Sequence, residues 1–99
     1  MGVDEILKAL GDPTRVAIVE ELSRRDDQTL FEICTRLLDR GAEMSRQAVA
    51  KHIAVLRDAN IVTVSTVGRT SVHRLDREAL RAAQGWLSAT IAATEGSST

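Results

Sequence analysis

Ser45-Arg46-Gln47-Ala48-Val49-Ala50-Lys51-His52-Ile53-Ala54-Val55-Leu56-Arg57 is the stretch on which the fold turns. Val49, Ile53 and Leu56 recur at helical spacing and form one apolar stripe, while Gln47, Ala50, Lys51 and Ala54 fall on the opposite side. Ser45 is a good cap for such a helix. Asn60 can end it in a left-handed conformation. Ile61 to Val67 is then β-branched at almost every position, which favours strand over helix. Gly68-Arg69 fits a two-residue hairpin turn with glycine first. Pairing around that turn sets Val67 opposite Thr70, Val64 opposite His73, and Val62 opposite Leu75. Val62, Val64, His73 and Leu75 then share one face, and Thr63, Ser65, Val72 and Arg74 the other.

Charge gathers on the same segment. Between Met44 and Arg74 there are five basic residues (Arg46, Lys51, Arg57, Arg69, Arg74) and one acid (Asp58), a balance of +4. The remaining eight basic and thirteen acidic residues give −5, so the whole chain carries −1. A nearly neutral protein whose positive charge sits on one helix and one hairpin suits a polyanion.

Upstream, Val3, Ile6, Leu7 and Leu10 predict a short first helix that stops at Gly11. Asp12 caps the next helix with Pro13 at its first position, and Val16, Ile18, Val19 and Leu22 supply its stripe. The charged break Ser23–Asp27 follows, where Asp26 and Asp27 read as loop-solvating carboxylates. Thr29-Leu30-Phe31-Glu32 is a capping box opening a third helix, with Leu30, Ile33, Leu37 and Cys34 inward and Gly41 at its end. Asp76 caps a last helix with the stripe Leu80, Ala83, Leu87 and Ile91 and Trp86 beside it. The expected architecture is mainly α (α+β), in the order helix, helix, helix, basic helix, β-hairpin, helix: a winged helix-turn-helix. It forms one domain over residues 1–94, followed by a frayed polar tail at 95–99.

Ninety-nine residues with only Phe31 and Trp86 as aromatics and no Tyr require an aliphatic core. They also argue against stacking on single-stranded nucleic acid. One cysteine excludes an intrachain disulfide and fits a reducing compartment. No stretch approaches a membrane span and no basic signal peptide leads the chain, so the cytoplasm is the expected location. No glycine-rich phosphate loop is present, and neither histidine is placed for a nucleophile–base pair, so an enzyme is not expected.

Two segments resemble the ArsR-type winged-helix transcriptional regulators: Leu7-Lys8-Ala9-Leu10-Gly11-Asp12-Pro13-Thr14-Arg15 and Ser45 to Leu56. Gly68-Arg69 and Val72-His73-Arg74-Leu75 extend the likeness, which covers roughly residues 5–80. The resemblance implies a homodimer joined by the first and last helices, binding an imperfect palindrome in double-stranded DNA and usually repressing transcription. It places base reading on Arg46, Gln47, Ala50 and Lys51, and wing contacts near Arg69 and Thr70. Many members sense metals through a Cys-x-Cys in the third helix or Asp/His sites on the last. Here the third helix has only Cys34 and the last has no His or Cys, so neither a metal site nor a cofactor is expected and any effector ligand is unknown. The segment Asp39–Met44 also looks longer than the compact turn of the metal-sensing members.

Side-chain chemistry agrees with those positions. Arg46 suits bidentate contact with guanine and Gln47 with adenine, and Ala50 offers a methyl to thymine. Lys51 suits a base or a phosphate. Ser45 serves as a cap and equally as a phosphate donor. His52, on the flank of the buried stripe, reads as packed or phosphate-touching rather than as a base reader. His73 reads as structural, Arg57 as a surface or ion-pair residue, and Cys34 as an inert core thiol. Arginine at a wing tip, as at Arg69, can enter a minor groove. The expected dimer face comprises Val3, Ile6, Leu7, Leu80, Ala83, Trp86, Leu87 and Ile91. Gly85, costly mid-helix, suits close helix approach. The rival to DNA binding is a winged helix that buries its Ala48–Val55 surface in a protein partner.

Overall fold

The computed structural model describes residues Gly2–Gly96. Five helices and one hairpin follow in order: α1 (Val3–Ala9), α2 (Pro13–Arg24), α3 (Leu30–Asp39), α4 (Arg46–Asp58), β1 (Val62–Val67), β2 (Thr70–Leu75) and α5 (Arg77–Gly96). This is the winged helix-turn-helix order read from the sequence. The last helix runs through Gly96, two residues into the stretch expected to fray, and residues 97–99 lie outside the described part.

Four of the five helices, α2 to α5, begin where a side chain can satisfy orphan N–H groups, whereas α1 starts after Gly2 with no side-chain cap. Asp12 Oδ2 accepts from the backbone N–H of Thr14 (2.9 Å) and Arg15 (3.1 Å), with Pro13 at the first helical position. These backbone donors, Arg15 N–H foremost, hold the Asp12 carboxyl below its usual range. At α3 the capping box closes both ways: Glu32 N–H donates to Thr29 Oγ1 at 3.1 Å and Thr29 N–H to Glu32 Oε1 at 3.0 Å. Ser45 Oγ accepts from Ala48 N–H at 3.1 Å, and Asp76 Oδ1 from Glu78 N–H at 3.0 Å.

The six residues between α3 and α4 are ordered by the end of α3. Gly41 adopts φ +84°, and Ala42 N–H returns to the Leu37 carbonyl at 3.0 Å. Ala42 and Met44 then pack against the core, so the longer connection is a built corner. Asn60 closes α4 with φ +59°.

All core side chains are aliphatic. Ile6, Ile18, Leu22, Ile33, Leu37, Val49, Leu56 and Ile61 are essentially sealed from solvent, and Ile53, Val62, Leu75, Ala79 and Ala83 complete the cluster. Val16, expected in the α2 stripe, faces outward instead, and Leu30 and Cys34 are only half-buried. The cluster draws on all five helices and the hairpin, and Phe31 lies outside it, 65% exposed.

The hairpin register matches the pairing expected around Gly68-Arg69: Val62 opposite Leu75, Val64 opposite His73, Val67 opposite Thr70. Of the two turn residues only Gly68 has positive φ (+64°), the pattern of a II′ turn. The hairpin's inner end is fixed by a feature absent from the sequence reading. Gln28, in the α2–α3 connection, forms an antiparallel bridge with His73, with N–H to carbonyl distances of 3.1 and 2.7 Å. The Gln28 side chain is fully buried, and its Nε2 donates to the carbonyls of Glu21 (3.2 Å) and Arg25 (2.6 Å).

Leu56 is wholly buried on α4. Leu56→Ala should therefore destabilise the fold by about 2–5 kcal/mol, the cost of lost transfer energy plus a cavity. Urea unfolding should show a lower midpoint at unchanged slope.

Candidate nucleic-acid interface

With Val49, Ile53 and Leu56 turned into the core, the helical period presents Arg46, Gln47, Ala50, Lys51 and Ala54 to solvent. Ser45 is exposed at the N-cap, where its hydroxyl is engaged with Ala48 N–H. Across from this face stands the hairpin, with Arg69 at its tip and Thr70 beside it, both exposed. Between helix and wing lies a cleft of about 480 Å³, lined among others by Arg46, Ala50, Arg57, Arg69, Thr70 and His73. Arg46, Ala50, Arg69 and Thr70 are thus brought together, whereas Gln47 and Lys51 stand on the outer side of the same helix.

Arginines are used here in two ways. Among the described residues, Arg46, Lys51, Arg57 and Arg69 make no ion pair and no side-chain hydrogen bond. Arg24, Arg25, Arg40, Arg74, Arg77 and Arg81 are all ion-paired. Arg15 is hydrogen-bonded to α1 and His52, and Lys8 on α1 and Arg36 on α3 also have no ion pair. Arg40, for example, joins α3 to α2 through Glu20 (2.8 Å) and Glu21 (3.2 Å). The positive charge of the cations on α4 and the wing is therefore uncompensated by an ion pair within the chain and is available to an external anion.

Two expectations change in consequence. Arg74, counted in the basic segment, is held by Asp27 in a two-point contact, Nε to Oδ1 at 3.0 Å and Nη2 to Oδ2 at 2.6 Å. Asp26 accepts from Leu75 N–H (3.2 Å) and from Arg77 (3.3 Å). The acidic pair is therefore a strut under the wing and not a solvating loop. Asp27 takes φ +59° to reach it. Arg57, in contrast, is unpaired and lines the cleft. It lies eleven residues after Arg46, three helical turns on the same face, and that spacing was the available signal.

The two histidines are both engaged. His73 is buried, with Nδ1 2.9 Å from the Gln28 carbonyl, as its structural reading required. His52 is half-buried, and its Nδ1 lies 3.2 Å from Arg15 Nη1. Burial pushes the Cys34 thiol up, against the opposing charge of Arg46, and so disfavours the thiolate. Among the described residues no three His, Cys, Asp or Glu side chains gather as a metal site, and no helix is long and apolar enough to cross a membrane.

The expected dimer face divides. Ile6 (1% exposed) and Ala83 (6%) belong to the protomer's own core, where they hold α1 against the rest and form no outer surface. Val3, Leu7 and Leu80 are half-buried. Trp86 (43%), Leu87 (49%) and Ile91 (57%) remain open to solvent. Gly85 meets nothing within the protomer, so the close helix approach it was read to serve does not occur inside this chain.

A helix pair whose second member carries a free basic face, followed by an arginine-tipped hairpin, defines a winged helix-turn-helix of the DNA-binding class. Known proteins agree. A family profile described as a helix-turn-helix domain matches residues 10–65. The chain is 43% identical over 86 residues to the HTH-type transcriptional regulator YuzN of Bacillus subtilis, covering 85% of this chain and 94% of that one. It is 35% identical over 79 residues to the HTH-type transcriptional regulator Rv2034 of Mycobacterium tuberculosis, covering 80% and 68%. The solved structure of an ArsR-like transcriptional regulator from Rhodococcus sp. RHA1 superposes with a TM-score of 0.79 at 31% identity, covering 94% and 82%. The chain belongs to the ArsR-type winged helix-turn-helix transcriptional regulators.

The Arg74 hydrogen bonds hold the Asp27 carboxyl below its ordinary range. A depressed carboxylate contributes stability that is present above its unfolded value, near pH 4, and fades as pH falls through the lower folded value. Asp27→Asn should therefore lower stability at neutral pH and flatten its decline below about pH 4. Thermal unfolding of both forms across that range checks it.

Proposed function

We propose that the protein is a homodimeric repressor that binds an imperfect palindrome in double-stranded DNA, with α4 in the major groove and the wing tip on the minor groove or backbone. The observation that carries this reading is the set of four unpaired cations, Arg46, Lys51, Arg57 and Arg69, on the exposed side of α4 and on the wing. Arg46 and Gln47, in the first turn, suit bidentate contacts to guanine and adenine, each worth about 1–3 kcal/mol of discrimination. Ala50 offers thymine a methyl. Lys51 and Arg57 suit phosphates, and Arg69 a narrow minor groove. Ser45 adds a helix N-terminus, which favours phosphate.

Dimerisation through α1 and α5 is supported by the exposed apolar row Trp86, Leu87 and Ile91, with Val3, Leu7 and Leu80 beside it. A two-fold axis there would set the two recognition helices about 34 Å apart, one turn of the duplex. The rival reading, a protein-docking use of the Ala48–Val55 surface, fits less well. Its exposed apolar side chains are only Ala50, Ala54 and Val55, interrupted by Lys51.

Arg46→Ala combined with Lys51→Ala should abolish specific duplex binding while leaving the circular dichroism spectrum and the dimer intact. Wild-type affinity should fall steeply with salt, with a log–log slope of about −0.9 per phosphate neutralised. Unchanged operator affinity in the double variant would sink the reading. Leu87→Glu with Ile91→Glu should leave a folded monomer in sedimentation equilibrium. A persistent dimer would place the interface elsewhere.

A further inference from the structure

Arg15 lies on α2, away from the exposed face of the recognition helix, yet its guanidinium reaches two other elements, α1 and α4. Nε donates to the Ala9 carbonyl at 2.6 Å at the end of α1, and Nη2 to the Lys8 carbonyl at 3.4 Å, which also accepts from Gly11 N–H at 3.1 Å. Nη1 lies 3.2 Å from Nδ1 of His52, midway along α4. Arginine has donors only, so this contact requires a lone pair on Nδ1 and puts the imidazole proton on Nε2. Asp12 Oδ2 lies 3.7 Å from the same nitrogen, within ion-pair range of a protonated imidazole but beyond hydrogen-bond distance, and it also accepts from the backbone N–H groups of Thr14 and Arg15. The imidazole is therefore oriented by Arg15.

We propose that Arg15 is a positioning residue for DNA binding, fixing α4 against α1 and α2 through Nδ1 of His52. The proposal rests on the duplex-binding reading above and adds a part to it. The apolar stripe of Val49, Ile53 and Leu56 sets which side of α4 is buried, but apolar contacts are non-directional and define the helix's fine register less sharply than a hydrogen bond does. A charge-assisted hydrogen bond from a guanidinium that is itself tied to two carbonyls supplies the missing direction. Because α1 packs on α5 as well as on α4, the same guanidinium links the helices proposed to dimerise with the helix proposed to read bases. His52 then serves through its inward nitrogen and not as a phosphate contact.

Isosteric substitutions at His52 separate these roles. Asparagine places an amide oxygen near the position of Nδ1 and keeps the acceptor for Arg15, whereas glutamine places its amide near Nε2 and gives that acceptor up. His52→Asn should retain duplex affinity within about twofold. His52→Gln should lose about tenfold, the scale of coupling between groups in direct contact, with an unchanged salt slope. Arg15→Gln should lose a similar factor, and Arg15→Gln with His52→Gln should be no worse than the weaker single variant. Retention by glutamine and loss by asparagine, with a shallower salt slope, would overturn the proposal in favour of a direct phosphate contact. Full affinity in both His52 variants would overturn it as well, and so would additive losses in the double variant. Thermal unfolding of each variant checks that Arg15→Gln, which also frees the α1 carbonyls, is still folded. If it is not, the His52 pair decides alone. Nitrogen-15 shifts of the His52 ring in the free wild-type protein at neutral pH should place the proton on Nε2. A proton on Nδ1 would overturn the proposal without any DNA present. A wild-type protein that binds no duplex at all would instead overturn the functional reading, a result distinct from any of these.

Discussion

Burial of Val49, Ile53 and Leu56 along one side of α4 is the constraint on which the remaining structure depends. Each such side chain contributes about 1.5–3 kcal/mol when fully removed from water. Once that stripe is committed, the 3.6-residue period leaves no choice about where Arg46, Gln47, Ala50 and Lys51 point. The core is aliphatic and close-packed, so α4 cannot rotate to bring its cations toward acidic partners without opening a cavity. The basic face is unpaired because packing holds it away from the acids of the same chain.

The hairpin solves the complementary problem. A two-stranded hairpin alone is marginal in water and needs support along one face or edge. Here its inner end is bridged to Gln28, its Arg74 is gripped by Asp27, and the N–H of Leu75 is taken by Asp26. Neutralising Arg74 at the base leaves Arg69 as the free charge at the tip. One arginine is a strut and the other a probe, although both stand in the same short hairpin.

What the sequence disclosed follows the range of the interactions involved. The caps at Asp12, Thr29, Ser45 and Asp76 act over two or three residues, and the hairpin register is set by a glycine turn with alternating faces, so both were readable in one dimension. The Asp27–Arg74 pair spans 47 positions and the Gln28–His73 bridge 45, and no local pattern marks either. The apolar spacing of α1 and α5 located the right helices. It could not say that Ile6 and Ala83 turn toward the protomer's own core while Trp86, Leu87 and Ile91 turn away, because both sets are apolar. The exposed placement of Arg46, Gln47, Ala50 and Lys51 on α4 and of Arg69 and Thr70 at the turn was legible from the helix period and the turn. Arg57 reads in the sequence as a surface or ion-pair residue; its spacing from Arg46 marks the shared face, but that it makes no ion pair is visible only in three dimensions. The inward engagement of His52 depends on Arg15, 37 positions away.

Use of α4 and the wing as one surface for double-stranded DNA is tested most directly by backbone amide shift mapping during titration with a bound duplex. Perturbations should concentrate on residues 45–52, Arg57 and 68–71, fade as salt is raised, and leave the exposed side of α3 around Leu38 unmoved. Perturbations centred on α3 or on the outer side of α5, with residues 45–52 silent, would contradict it.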